Sequence, residues 1–165
     1  RERNGRVFCI GVGGGAANAS HAVNDFRKIC SIESYCLTDN VAELTARIND
    51  DGWDTTCLDW LYTSKLKSED VLFIFSVGGG TQNVSRIIVN GVAYAKSLKA
   101  KIYGIVGRDG GYTKKAGDEV IVIPTIYDHL VTGYTESMQM VILHAIVFHP
   151  KLMRNKGKWE SINEH

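Results

Sequence analysis

The chain has 165 residues, of which 44% are hydrophobic and 22% are charged, and its formal net charge is +1. This length and composition are typical of one folded domain and exclude a disordered protein. The near-neutral charge, without long basic runs, argues against a dedicated binder of nucleic acid or of anionic membranes. The unusual count is 17 glycines against 2 prolines, with glycines clustered at 11–15 and 78–80.

No apolar stretch is long enough to cross a bilayer, and the first six residues are polar with no signal-peptide core behind them. The cysteines form no CxxC pair, which favours buried free thiols over a disulfide framework or a cysteine zinc site; they are Cys9, Cys30, Cys36 and Cys57. We therefore expect a cytoplasmic protein with one domain at residues 1–150 and a polar C-terminal tail at 151–165.

Short apolar runs alternate with longer helical patterns along the chain. Runs with the length and composition of strands lie at residues 6–12, 33–37, 71–77, 101–106 and 119–123. Helical patterns lie at residues 17–30, 42–48, 53–65, 82–98 and 135–148. Three of the strands are almost continuously apolar, as in a parallel sheet covered on both faces. The pattern predicts an α/β fold, a three-layer α/β/α sandwich around a five-stranded parallel sheet.

Both glycine runs follow a predicted strand and lead into a predicted helix, the place where parallel sheets bind ligands. The stretch 76–83 (SVGGGTQN) offers backbone N–H groups, a helix N-terminus and the hydroxyls of Ser76 and Thr81. These groups favour a phosphate. A tight turn that requires positive φ explains the same glycines equally well.

The stretch 11–18 (GVGGGAAN) has the form of a dinucleotide fingerprint in which Ala16 replaces the last glycine. Such a site needs an acidic residue about 20 positions further on to bind a ribose. Glu33 and Asp39 are the candidates. A nucleotide-binding protein is thus an alternative interpretation.

Two pairs of residues have helical spacing. His21 and Asp25 are four apart and share one helix face, and Glu136 and His144 are eight apart and share another. Such a set suits a metal site or an acid–base pair. The spacing alone favours the simpler interpretation of ordinary helix and core histidines.

Four segments together resemble a known family. They are GVGGGAANASH at 11–21, LTDNVAELTARINDDG at 37–52, SVGGGTQNV at 76–84 and GIVGRDGG at 104–111. In this order they resemble the motifs of the sugar isomerase (SIS) domain family, and within it those of the phosphoheptose isomerases. The resemblance covers residues from about 6 to 148. It implies a flavodoxin-like fold and helices before the first strand, so we expect further residues ahead of Arg1.

The resemblance implies an enzyme that interconverts a ketose 7-phosphate and an aldose 7-phosphate through an enediol, in heptose and lipopolysaccharide synthesis. Asp25 and His144 then correspond to the acid–base pair. The metal set corresponds to His21, Asp25, Glu136 and His144, for zinc or another divalent metal, with no nucleotide cofactor. The implied substrate contacts are Gly13, Gly14, Asn18, Asp39, Ser76, Gly78, Gly79, Gly80, Thr81, Asn83 and Glu136. Members assemble as homotetramers with sites between subunits.

The chain departs from the family pattern mainly by losing polar side chains. Residues that the family has as Asn, Ser, Asp, Ser and Asn are here Val12, Gly15, Asn18, Gly78 and Gly80. Each lost hydrogen bond to an anion is worth about 1.5–3 kcal/mol. The alternative to an isomerase is therefore a phosphosugar-binding or scaffold protein without catalysis, similar to the adaptor of the replication initiator.

Two further departures concern charge. The catalytic Glu of the family is Asp25, which is one methylene shorter, and its Gln on the last helix is Glu136. Two carboxylates and two histidines make a more anionic site, better suited to a divalent cation. Because these positions stay chemically competent, the sequence favours the isomerase.

Overall fold

The computed structural model describes residues 1–162, and the last three residues of the predicted tail, 163–165, lie outside them. Its strands are β1 (Val7–Gly11), β2 (Ser34–Cys36), β3 (Val71–Ser76), β4 (Lys101–Val106) and β5 (Glu119–Val122). All neighbours pair in parallel, in the order β2-β1-β3-β4-β5. The five-stranded parallel sheet is thus confirmed.

The helices are α1 (Gly14–Lys28), α2 (Val41–Asp51), α3 (Thr56–Thr63), α4 (Arg86–Ser97), α5 (Gly111–Ala116), α6 (Val131–Val147) and α7 (Lys158–Ser161). Short 3-10 turns lie at Leu37–Asp39 and Asp128–Leu130. Within residues 1–162, no helix has both the length and the apolar character that crossing a membrane requires.

All five helix predictions need correction in their bounds; the helices predicted at 42–48 and 53–65 are observed at Val41–Asp51 and Thr56–Thr63. The helix expected from residue 82 begins only at Arg86, because Thr81 Oγ1 accepts hydrogen bonds from the N–H groups of Asn83 and Val84 and closes a separate turn there. The helices expected from residues 17 and 135 begin earlier, at Gly14 and Val131. Helices α5 and α7 were not predicted, since both are too short to show a periodic pattern.

Two apolar cores flank the sheet and make the three-layer sandwich. Along β3, Phe73 and Phe75 join the core formed with α1 and α6, whereas Leu72 and Ile74 join the core formed with α3 and α4. This alternation follows from the period of two along a strand. Burial of each such side chain contributes about 1.5–3 kcal/mol.

The strand order places a crevice between β1 and β3. The chain leaves β1 for α1 on one face of the sheet and leaves β3 for α4 on the opposite face. Loops that diverge in this way open a crevice beyond the carboxyl ends of the two strands, where α/β folds bind ligands. Both glycine runs lie in these two loops.

Residues after α6 fold back onto the body of the protein. The N–H groups of Arg154 and Asn155 donate to the carbonyl of Ile29 at 2.9 and 3.0 Å. Leu152 and Met153 pack against the core between α1 and α6. The start of the segment predicted as a polar tail therefore covers the C-terminal end of α1.

Candidate functional site

Helices α1 and α6 bring three of the predicted site residues together. His21 Nε2 lies 3.3 Å from Asp25 Oδ2, and His144 Nε2 lies 3.6 Å from the same oxygen. The two imidazole nitrogens are 3.3 Å apart. The carboxylate is 7% exposed, while both histidine side chains are 47% exposed. The site is therefore a buried acid beneath two accessible imidazoles, which we call the triad.

The triad has the geometry of a metal site. Ligands at 2.0–2.2 Å from a tetrahedral ion lie about 3.3–3.6 Å from one another, and the three observed separations span this range. Asp25 Oδ2 is also the one buried side-chain polar atom without a hydrogen-bond partner within residues 1–162. A buried oxygen of this kind is costly unless something pairs with it. The donor set, two imidazoles and one carboxylate, suits Zn²⁺.

Glu136 does not belong to the triad. Its carboxylate lies against Gly14 in the first turn of α1, where a Cβ at position 14 would overlap it. The positive end of the helix dipole stabilises an acidic group there. Of the four residues predicted to bind a metal, the structure thus groups three and places the fourth beside the first glycine loop.

Asn18 and Gln139 tie α1 to α6 between these two places. Asn18 Nδ2 donates to the Glu136 carbonyl at 2.9 Å and to Gln139 Oε1 at 2.8 Å. Gln139 Nε2 donates to the carbonyl of Ile105 in β4 at 3.0 Å. Sequence reasoning missed Gln139, although a polar residue four positions from both Thr135 and Leu143, on the buried face of α6, was the available signal.

The loop after β3, residues 77–85, uses most of its own polar groups. Ser76 Oγ accepts a hydrogen bond from Gly79 N–H at 3.0 Å, and Thr81 Oγ1 is bonded within its own turn. Within the described chain, the N–H groups of Gly78 and Gly80 have no partner. Asn83 is exposed in this loop, and its N–H belongs to the turn.

The structural requirement for glycine differs among the positions of the two glycine runs. Gly79 and Gly80 have φ of +67° and +82°, which disfavours other residues. A Cβ on Gly15 would overlap the carbonyl of Phe75. At Gly78, by contrast, a Cβ would meet only Arg108 Cδ, at 3.9 Å. Backbone conformation or packing accounts for the first three glycines and not for Gly78.

The remaining predicted contacts lie near the first loop. Gly13, with φ of +60°, precedes α1. Asp39 ends the 3-10 turn after β2, and its Oδ1 accepts a hydrogen bond from Ser20 Oγ. Asp39 also lines a cavity of about 590 Å³ against β2, and the residues that line this cavity do not include the triad. Burial raises the pKa of the Cys9 and Cys57 thiols, so they stay protonated and are not candidate nucleophiles.

No protein-family model matches the chain. It is 29% identical over 154 residues to the lincomycin biosynthesis protein LmbN of Streptomyces lincolnensis, covering 86% of this chain but only about half, 54%, of that protein. It is 28% identical over 150 residues to the phosphoheptose isomerase of Helicobacter pylori, covering 88% of this chain and 73% of that one.

The fold has solved counterparts. The phosphoheptose isomerase of Neisseria gonorrhoeae superposes with a TM-score of 0.72 at 22% identity, covering 88% of this chain and 76% of that one. The resemblance found in the sequence motifs is therefore confirmed, in sequence by the curated relatives and in fold by the solved structure.

Proposed function

We propose that this chain, which resembles phosphoheptose isomerases in sequence and in fold, is a phosphosugar aldose–ketose isomerase. The substrate we assign is sedoheptulose 7-phosphate, and the product is D-glycero-D-manno-heptose 7-phosphate. The observation that carries the proposal is the triad, in which a buried, unbonded carboxylate oxygen faces an accessible imidazole.

The reaction needs one group to move a proton between carbons and one to move protons between oxygens. Asp25 Oδ2 takes a proton from C1 while the C2 carbonyl oxygen gains one from His144, giving the C1=C2 enediol. Asp25 then returns the proton to C2 as the C1 hydroxyl loses its own to His144, which leaves the C1 aldehyde. Asn24 Nδ2 donates to Asp25 Oδ1 at 2.9 Å, which orients the carboxylate and leaves Oδ2 for the substrate.

A divalent ion, zinc by preference, would be held by His21, Asp25 and His144. When bound, such an ion polarises a carbonyl as a Lewis acid. Two of these three side chains, Asp25 and His144, also transfer protons in the metal-free reaction, so neither can fill both roles at the same atom at once. Assays with added metal and with a chelator therefore distinguish the two roles.

The phosphate is assigned to the loop after β3. Support comes from the unpartnered N–H groups of Gly78 and Gly80 and from the position of the loop at the crevice between β1 and β3. His21 lies seven residues, about 10 Å of helix, below Gly14. The start of α1 lies beside the end of β3, because a Cβ on Gly15 would overlap the Phe75 carbonyl. The triad is therefore about two helix turns from the loop after β3, which suits a substrate whose reacting carbons are far from its phosphate.

Assembly as a homotetramer with sites between subunits is part of the proposal. Helix α6 is apolar well beyond its buried face, with Val141 59% exposed and Met138 and Ile142 half-buried. A second subunit on this face would cover apolar surface next to the half-exposed histidines. Four buried free thiols suit a reducing cytoplasm.

The test is isomerisation of sedoheptulose 7-phosphate in D₂O by the purified protein, followed by NMR, with added Zn²⁺ and with a chelator. An enediol route predicts aldose product and deuterium at the exchanging carbon. Failure of both product and exchange under both conditions contradicts the enzyme. Binding of the sugar phosphate without either change would instead support the binding or scaffold protein.

A further inference from the structure

The loop after β4, residues 107–110, is bonded to the glycine loop after β3. Gly107 N–H donates to the Val77 carbonyl at 3.0 Å. Both the N–H and the hydroxyl of Thr113 donate to the Gly79 carbonyl, at 2.9 and 2.8 Å. The N–H of Tyr112 donates to the Gly80 carbonyl at 2.9 Å. The loop after β3 and the loop after β4, together with the first turn of α5, therefore form one unit, which we call the paired loops.

The close fit of the paired loops depends on glycine on both sides. A Cβ on Gly79 would overlap the carbonyl of Gly110, and a Cβ on Gly111 would overlap the carbonyls of Gly78 and Gly80. Substitution at either position would push the loops apart. The relative position of residues on the two loops is thus fixed by backbone contacts.

Arg108 is the basic residue that this arrangement places beside the glycine loop. Its Cδ lies 3.9 Å from where a Cβ on Gly78 would be, and no other heavy atom lies within 4 Å of that point. The guanidinium group begins one bond beyond Cδ. The arginine side chain therefore lies beside Gly78, whose N–H has no hydrogen-bond partner among residues 1–162.

The Arg108 side chain has no bonding partner in the described part of the chain. It makes no ion pair or side-chain hydrogen bond there, whereas the neighbouring Asp109 accepts one from Gly111 N–H at 3.1 Å. Its φ of +51° is unfavourable for a residue other than glycine, asparagine or aspartate. The exposed arginine beside Gly78 therefore carries a positive charge that no acidic side chain among residues 1–162 pairs with.

We propose that Arg108 binds the phosphate of the sugar substrate from the side of the loop on which Gly78 carries no side chain. The inference rests on the proposed function for its ligand. A guanidinium group can donate two parallel hydrogen bonds to a phosphate. A charged contact from Arg108 therefore takes the place of the neutral hydroxyl and amide side chains that the loop lacks at Gly78 and Gly80. Recognition then depends mainly on the charge of the phosphate.

The experiment compares Arg108→Asn with Lys99→Asn. Asparagine tolerates positive φ, so Arg108→Asn removes the charge and keeps the backbone. Lys99, with φ of +60°, is also exposed, but it precedes β4 and so lies at the other end of the strand from Arg108. Lys99→Asn is therefore a matched control for charge and conformation. Binding of sedoheptulose 7-phosphate, free sedoheptulose and inorganic phosphate is measured by calorimetry.

We expect Arg108→Asn to weaken binding of the sugar phosphate by about tenfold or more and to leave binding of the free sugar unchanged. Arg108→Lys should lie between, because it keeps the charge and loses the planar fork. In turnover, Arg108→Asn should raise KM far more than it lowers kcat, since the phosphate is remote from C1 and C2. Lys99→Asn should change none of these values.

Each outcome separates this inference from the proposed function. Equal binding by wild type and Arg108→Asn overturns the role of Arg108 and leaves the isomerase intact. Arginine-dependent binding of phosphate or sugar phosphate without turnover supports Arg108 while contradicting the enzyme. A wild-type protein that binds neither sugar phosphate nor inorganic phosphate overturns both.

Discussion

The two ends of the candidate site are built by different means. At the triad, side chains from α1 and α6 converge on one another, and the backbone only carries them. At the paired loops, glycines predominate, hydroxyls are used within the loops, and the binding groups are backbone N–H donors with Arg108 beside them. The triad depends on which side chains are present, and the paired loops depend on how closely two backbone segments approach each other.

This difference predicts how each end responds to mutation. Changing a triad side chain should alter chemistry or metal binding and spare folding, because the histidines are half-exposed and Asp25 Oδ2 lacks a hydrogen bond. Changing a glycine of the paired loops should alter folding first, because the loop backbones are in contact.

Asp25→Asn should lower kcat about 100- to 10,000-fold, the usual worth of a general base. The amide has nearly the same shape and carries no charge, so thermal unfolding should not occur at a lower temperature than in wild type. Isomerisation of sedoheptulose 7-phosphate and calorimetric unfolding measure the two effects. Asp50→Asn, an exposed carboxylate on α2, is the control. A variant that keeps a tenth of the activity would contradict the acid–base role.

His21→Gln should weaken Zn²⁺ binding by more than about 100-fold, because losing even an outer partner of a ligand costs about 10–100-fold. Glu136→Gln should leave zinc affinity unchanged, since its carboxylate lies against Gly14 and outside the triad. Competition with a chromophoric chelator measures both values. Equal losses in the two variants would return Glu136 to the metal site and contradict this division.

Gly79→Ala should lower the free energy of unfolding by about 1–3 kcal/mol, because its φ is +67° and the added Cβ meets the Gly110 carbonyl. Gly78→Ala is the matched control. With open space around its Cβ, it should change stability by about 0.5 kcal/mol or less. Urea unfolding of the pair measures the difference. Equal destabilisation would show that Gly78 too is required by the fold.

Gly78→Ser should tighten binding of a sugar phosphate, by up to about tenfold, since one added neutral hydrogen bond contributes about 0.5–1.5 kcal/mol. The hydroxyl would extend into the space beside Arg108. In the Arg108→Asn background the gain should persist, and calorimetry on the four proteins gives the coupling. A loss of affinity from Gly78→Ser in wild type would show that the arginine already fills this space.

The sequence by itself determined the layered fold, the strand positions and the identity of the triad residues. Strand-length apolar runs and their alternation with helical patterns are local signals, and all five strands end within one residue of the predicted bounds. The spacing of His21 and Asp25 placed them on one helix face without any tertiary information. The motifs then supplied the partner, His144, from a distant helix.

Only the tertiary structure decided which of the predicted groups meet. Helix packing brings His144 to Asp25 and leaves Glu136 beside Gly14, because one residue faces the middle of α1 and the other its N-terminus. The link made by Gln139 and the position of Arg108 depend on hydrogen bonds between distant segments. The late start of α4 depends instead on the local turn that Thr81 closes. The tertiary structure also accounts for the clustered glycines, because contacts or φ values require glycine at 15, 79 and 80, while an added Cβ at Gly78 meets only Arg108 Cδ.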